Sequence, residues 1–67
     1  MKVSAVVGLL ERGGWRLVRT KGSHRQFGHP SKPGRVTVAG EPSATLTLGV
    51  EASILKQAGL RRLRRIT

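Results

Sequence analysis

Among the side chains of this 67-residue chain, two histidines and three glutamates are the groups that ordinarily exchange a proton between acid and neutral pH. His24 has the most suggestive surroundings. It stands in Lys21-Gly22-Ser23-His24-Arg25-Gln26-Phe27, after a Gly-Ser pair and between two cations. An imidazole with an ordinary pKa near ~6.5 can take or give a proton at neutral pH. Fixed positive charges beside it suit a phosphodiester, because they hold phosphate and offset charge that grows on a pentacoordinate transition state. RNA cleavage would need a base for the ribose 2′-OH and an acid for the leaving oxygen. The bland reading of the same stretch is a solvated basic hairpin.

His29 lies five residues beyond His24. On a regular strand the two face opposite ways, so neither a shared metal nor a two-histidine acid-base pair is expected. His29 precedes Pro30 and is expected to fix the end of its strand through a hydrogen bond. Glu11, Glu41 and Glu51 are dispersed, whereas a divalent ion usually needs clustered carboxylates. No metal and no cofactor is called for.

The elements that must carry these residues follow from periodicity. Val3, Val6, Val7 and Leu10 form one apolar stripe, predicting a helix over about residues 4 to 12 with Ser4 as N-cap and Gly13 at the left-handed C′ position. Trp15 to Lys21 reads as a strand, Gly22-Ser23 as a turn, and His24 to His29 as a second strand, together a hairpin. After the turn Pro30-Ser31-Lys32-Pro33-Gly34, a third strand takes Arg35 to Val38. Alternation places Phe27, Arg25 and His29 on the core side, with Val36 and Val38 inward from the third strand. His24, Gln26, Arg35 and Thr37 fall on the other side. In the first strand Leu17 and Val18 are adjacent, which leaves its parity open. Residues 39 to 47 read as a loop. A second helix starts near Gly49, with Val50, Ile54, Leu55 and Ala58 as its apolar positions. Gly59 closes it, with Leu55 and Leu60 at C3 and C″ of a Schellman cap. The order α-β-β-β-α predicts an α+β fold, a three-stranded antiparallel sheet with both helices on one face and the other face open. Residues 1 to 60 form the expected domain. Residues 61 to 67 form an arginine-rich tail, read as solvated or as a phosphate- or partner-gripping arm.

Composition narrows the partners. Thirteen Lys and Arg oppose three acids, a net charge of +10, which attracts polyanions. Nucleic acid, an anionic membrane or an acidic protein could answer that charge, and nucleic acid is favoured, since no predicted helix is long and amphipathic enough for a bilayer interface. No apolar run approaches the roughly 18 residues of a membrane span. The absence of cysteine fits a reducing compartment, and a cytoplasmic location is expected. One tryptophan and one phenylalanine are too few to stack a run of bases. RNA recognition would then use phosphate, 2′-OH and shape.

These residues also carry a resemblance. Gly14-Trp15, then L-V-R-T-K-G-S-H-R-Q-F from Leu17 to Phe27, H-P-S-K-P-G-R-V-T-V from His29 to Val38, and S-I-L-K-Q-A-G-L from Ser53 to Leu60 resemble the HicA family of small mRNA interferase toxins. The resemblance implies a double-stranded-RNA-binding-domain-like fold and metal-independent cleavage of mRNA. It also implies dependence on one histidine, which maps onto His24, and a cognate HicB-like antitoxin that masks the site, acidic where it touches a +10 toxin. Lys21, Gly22, Ser23, Arg25, Gln26, Lys32 and Arg35 are the expected RNA-binding residues around it. Many members have histidines after the third strand, where this chain has Ala39-Gly40-Glu41-Pro42. Two functions therefore stand to be separated, an endoribonuclease toxin and a non-catalytic basic RNA-binding module. A cationic membrane-active peptide is the weaker third.

Overall fold

The computed structural model describes residues 1–60. The arginine-rich segment 61–67 lies outside the described residues. The elements run α1 (Val3–Arg12), β1 (Arg16–Lys21), β2 (His24–Gly28), β3 (Val36–Ala39) and α2 (Leu48–Gln57). The strands form one antiparallel sheet in the order β1-β2-β3. This is the predicted α+β, double-stranded-RNA-binding-domain-like arrangement. Val3, Val6 and Leu10 of α1, Ile54 and Ala58 of α2, Phe27, Val36 and Val38 of the sheet, and Trp15 share one core. Both helices therefore bury their apolar stripes against one face of the sheet and leave its other face uncovered. No helix among the described residues is long and apolar enough to cross a membrane.

The helix ends show where local signals suffice and where they do not. α1 starts ahead of the expected Ser4 cap. Lys2 occupies the N-cap with extended dihedrals and no side-chain cap. The orphan N–H groups of Val3 and Ser4 donate instead to the carbonyls of Ala44 (2.9 Å) and Pro42 (3.0 Å), so a distant loop caps the helix. At the other end Gly13 keeps a negative φ of −82°, and Gly14 takes the left-handed value of +94°. The Schellman motif is one residue later than expected, with Trp15 N–H donating to Leu10 O (3.0 Å) and Gly14 N–H to Glu11 O (3.0 Å). In α2 the expected motif is present: Leu60 N–H donates to Leu55 O at 2.8 Å and Gly59 N–H to Lys56 O at 3.1 Å. Its N-cap is Thr47, read from sequence as loop, whose Oγ1 accepts from Val50 N–H at 3.2 Å. Val50 is 48% exposed, contrary to the predicted stripe. Glu51 takes the inward position instead, where its carboxylate accepts from the Met1 ammonium at 2.8 Å.

The turn between β1 and β2 is Gly22-Ser23, with φ +59° at Gly22 and no positive φ at Ser23. That pattern fits a type II′ hairpin, whose first central residue is glycine. Register then assigns the faces. Leu17 pairs with Phe27, Arg19 with Gln26, Thr20 with Arg25 and Lys21 with His24. Val18 is the extra residue of a bulge between Leu17 and Arg19. This settles the parity that two adjacent apolar residues left open. Leu17 turns toward the helical side, while Arg19 and Lys21 join His24 on the open side.

Candidate active site

β2 is the central strand, and its outward residues His24, Gln26 and Gly28 run down the middle of the open face. Each is flanked by neighbours set by register. His24 lies between Lys21 on β1 and Ala39 on β3, and Gln26 lies between Arg19 and Thr37. Gly28 pairs with Arg16, and a side chain at Gly28 would meet Val18 Cγ1 at 3.3 Å and Arg35 Nε at 3.7 Å. The face is thus three rows deep. Successive rows lie about 7 Å apart and the outer two about 13 Å apart, at ~3.3 Å of rise per residue.

The row at the hairpin end brings the expected chemistry together. His24 is exposed, with Lys21 as its direct cross-strand partner. Ala39 on the other flank offers only a methyl group, so the imidazole is open on that side. Gly22 and Ser23 form the exposed turn beside it. The Ser23 carbonyl accepts from Gly40 N–H at 3.1 Å, which ties the turn to the end of β3. No strand carries an acid, so the cations of this face have no carboxylate partner within the sheet.

The remaining expected residues divide. Gln26 sits one row from His24 on the same face. Arg25 does not share that face: it pairs with Val38, is half-buried, and donates from Nη1 to Gly40 O at 3.3 Å. It braces the His24 end from below. Lys32 and Arg35 are exposed but lie at the opposite end of β2 from His24. The Lys32 ammonium donates to Ala58 O at 3.2 Å, at the C-terminal end of α2, where the carbonyl charge favours a cation. The structure therefore does not bring Lys32 and Arg35 to the imidazole.

Arg19, absent from the RNA-binding residues expected from sequence, is placed by register one row from His24 beside Lys21. The only signal for it was the Leu17-Val18 adjacency, which marks a bulge once pairing is known.

His29 has a different task. Its Nδ1 accepts from Ser31 N–H (3.0 Å) and Lys32 N–H (3.1 Å), so the ring proton belongs on Nε2, 3.0 Å from Gly13 O. The ring also meets Trp15 edge-on, with centroids 5.1 Å apart. This is the expected strand-end anchor, made with both ring nitrogens. Glu11 lies on α1 and Glu51 on α2, and among the described residues no three His or Glu side chains converge as metal ligands would.

The chain matches the family model described as the HicA toxin of bacterial toxin–antitoxin systems over residues 3–60. No curated protein matches it significantly. The match spans both helices, the whole sheet and every row of the open face, and the chain belongs to this family of HicA toxins, each one half of a toxin–antitoxin pair.

Proposed function

We propose that the toxin is a metal-independent endoribonuclease that cleaves mRNA on the open face of its sheet, with His24 as the proton-transfer group. The observation that carries this reading is the row Lys21–His24–Ala39, which holds an exposed imidazole beside a fixed cation on the central strand. In the step proposed, His24 takes the proton of a ribose 2′-OH and the 2′ oxygen attacks the adjacent phosphorus. The bond to the 5′ oxygen breaks, and that oxygen takes its proton from water. The products are a 2′,3′-cyclic phosphate and a 5′-OH end. Lys21 and Arg19 stabilise charge on the phosphoryl oxygens, and the Gly22-Ser23 turn lets the backbone approach closely. Gln26 contacts the adjoining nucleotide, and Arg25 positions the strand. Lys32 and Arg35 take phosphates further along the RNA. One positioned acid-base group contributes roughly 10²- to 10⁴-fold, which suits a slow nuclease sufficient to arrest growth.

The partner that restrains the toxin is proposed to be a HicB-like antitoxin that covers this face with acidic surface, since complementary charge speeds encounter and sets register. The test pairs induction of wild type with His24→Ala and maps the RNA ends. Wild type arrests growth and leaves new 5′-OH ends in mRNA, in vitro also in the presence of a chelator. His24→Ala folds, binds RNA and leaves none. A His24→Ala protein as toxic as wild type refutes the assignment. RNA retention by wild type with no new ends makes the protein a binding module.

A further inference from the structure

The third row of the open face ends in a shallow depression of about 650 Å³, lined in part by Arg16, Val18, Gly28, Pro30, Lys32 and Arg35. Three of these side chains are cations, and none makes an ion pair among the described residues. Like charges gathered without a counter-charge repel one another, and a bound anion removes that cost. Lys32 spends one donor on Ala58 O, whereas the guanidinium groups of Arg16 and Arg35 make no hydrogen bond among the described residues. The lining between the cations combines exposed backbone with apolar side chains. Gly28 offers bare backbone, and Val18, the bulged residue, is 50% exposed with a methyl close above Gly28. A nucleotide carries this combination on one monomer, the flat apolar face of a base beside a phosphate, whereas a single acidic residue supplies the charge alone.

We propose that this depression is a second RNA subsite, in which Arg16 and Arg35 hold a phosphate and Val18, Gly28 and Pro30 seat the attached base. The inference rests on the proposed nuclease reading for the identity of the ligand. The subsite shares a face with His24 and lies two rows away, about 13 Å along β2. That distance is roughly two to four nucleotides of single strand, depending on how far the strand is stretched beyond its ~3.4 Å stacked rise. The toxin therefore measures its substrate. It prefers RNA that continues this far on one side of the cut and gains nothing from extension on the other side.

The experiment uses synthetic oligoribonucleotides built around one mapped cleavage position and lengthened on either side. For wild type, kcat/KM rises about tenfold once the chain reaches the subsite, the order expected from one charge-assisted hydrogen bond to phosphate. The double variant Arg12→Ala/Lys56→Ala, a charge-matched control at exposed positions on the two helices, keeps that ratio, and the double variant Arg16→Ala/Arg35→Ala brings it close to one. Binding to His24→Ala protein gives a second readout that needs no catalysis. There the Arg16→Ala/Arg35→Ala variant makes log Kd against log salt shallower by about 0.7 for an oligonucleotide of about ten residues, at ~0.7 per phosphate contact. It leaves the slope unchanged for one of about four. Equal losses for long and short RNA overturn the subsite, because the two arginines then supply only general charge. Tighter binding of oligoglutamate than of RNA, lost in the same variant, also overturns it and assigns the depression to an acidic protein segment. If wild type cuts no RNA at all, the nuclease reading fails, and the length dependence of binding alone decides the subsite.

Discussion

The two histidines of this toxin make a sharp paired prediction, because the structure assigns them opposite tasks. Replacing His29 with alanine removes its Nε2 bond to Gly13 O, two backbone N–H bonds to Nδ1, and the edge contact with Trp15. The Gly13 bond is partly buried and is worth about 1 kcal/mol. The two N–H bonds are exposed and can be replaced by water, so together they contribute about 1 kcal/mol. The aromatic contact adds about 0.5–1 kcal/mol. A loss of about 2–3 kcal/mol is a large share of the roughly 3–10 kcal/mol expected for a domain of this length. At ~4–8 °C per kcal/mol, Tm should fall by about 10–20 °C. His24 is exposed and makes no side-chain hydrogen bond among the described residues, so His24→Ala should change stability by no more than about 0.5 kcal/mol. Thermal unfolding followed by circular dichroism measures both. His29→Ala should still cut RNA at temperatures where it remains folded, and His24→Ala should not. A His24→Ala protein that melts far below wild type, or a His29→Ala protein that melts with it, would refute the assignment of the two rings.

Other outcomes follow from the same geometry. Arg19→Ala and Lys21→Ala should each lower RNA cleavage by roughly tenfold or more while changing Tm little, since both side chains are exposed; a steady-state assay beside a melting curve separates the effects. Trp15→Ala should leave the chain largely unfolded by circular dichroism. It empties the largest buried side chain and breaks the bond from Nε1 to Ala58 O, at a cost of about 3–5 kcal/mol.

Much of the architecture was legible because it rests on periodicity. Val3, Val6 and Leu10 fall on one helical stripe, and Phe27, Val36 and Val38 alternate inward, so the burial of each was readable without coordinates. The outward placement of His24 followed from the same alternation. The Schellman cap at Gly59 was readable because its glycine and its two leucines are local. What was not legible depends on contacts distant in sequence. The start of α1 is held by carbonyls of Pro42 and Ala44, so no residue near Ser4 reveals it. Glu51 displaces Val50 from the buried side because the Met1 ammonium, remote in sequence, meets its carboxylate. The bulge at Val18 is a property of pairing, and with it went the recognition that Arg19 faces the site. Lys32 looked like a companion of His24 because the two are close in sequence, whereas the length of β2 separates them.

The two helices lie side by side in the same sense. Their first turns meet where Met1 reaches Glu51, and their last turns meet where Leu60 packs against Gly13 and Trp15 reaches Ala58. The opening turn of α1 also lies under the end of the sheet that carries His24, since a side chain at Gly40 would meet Val3 and the Gly40 N–H donates to Ser23 O. Each helix carries partial positive charge at its start, equivalent to about half an elementary charge. The molecule is therefore electrically polarised along its strands, with backbone dipoles reinforcing the hairpin end. Unlike the lysines and arginines, that contribution cannot be deleted by mutating side chains, so even a charge-stripped variant should keep a directional preference for an incoming polyanion.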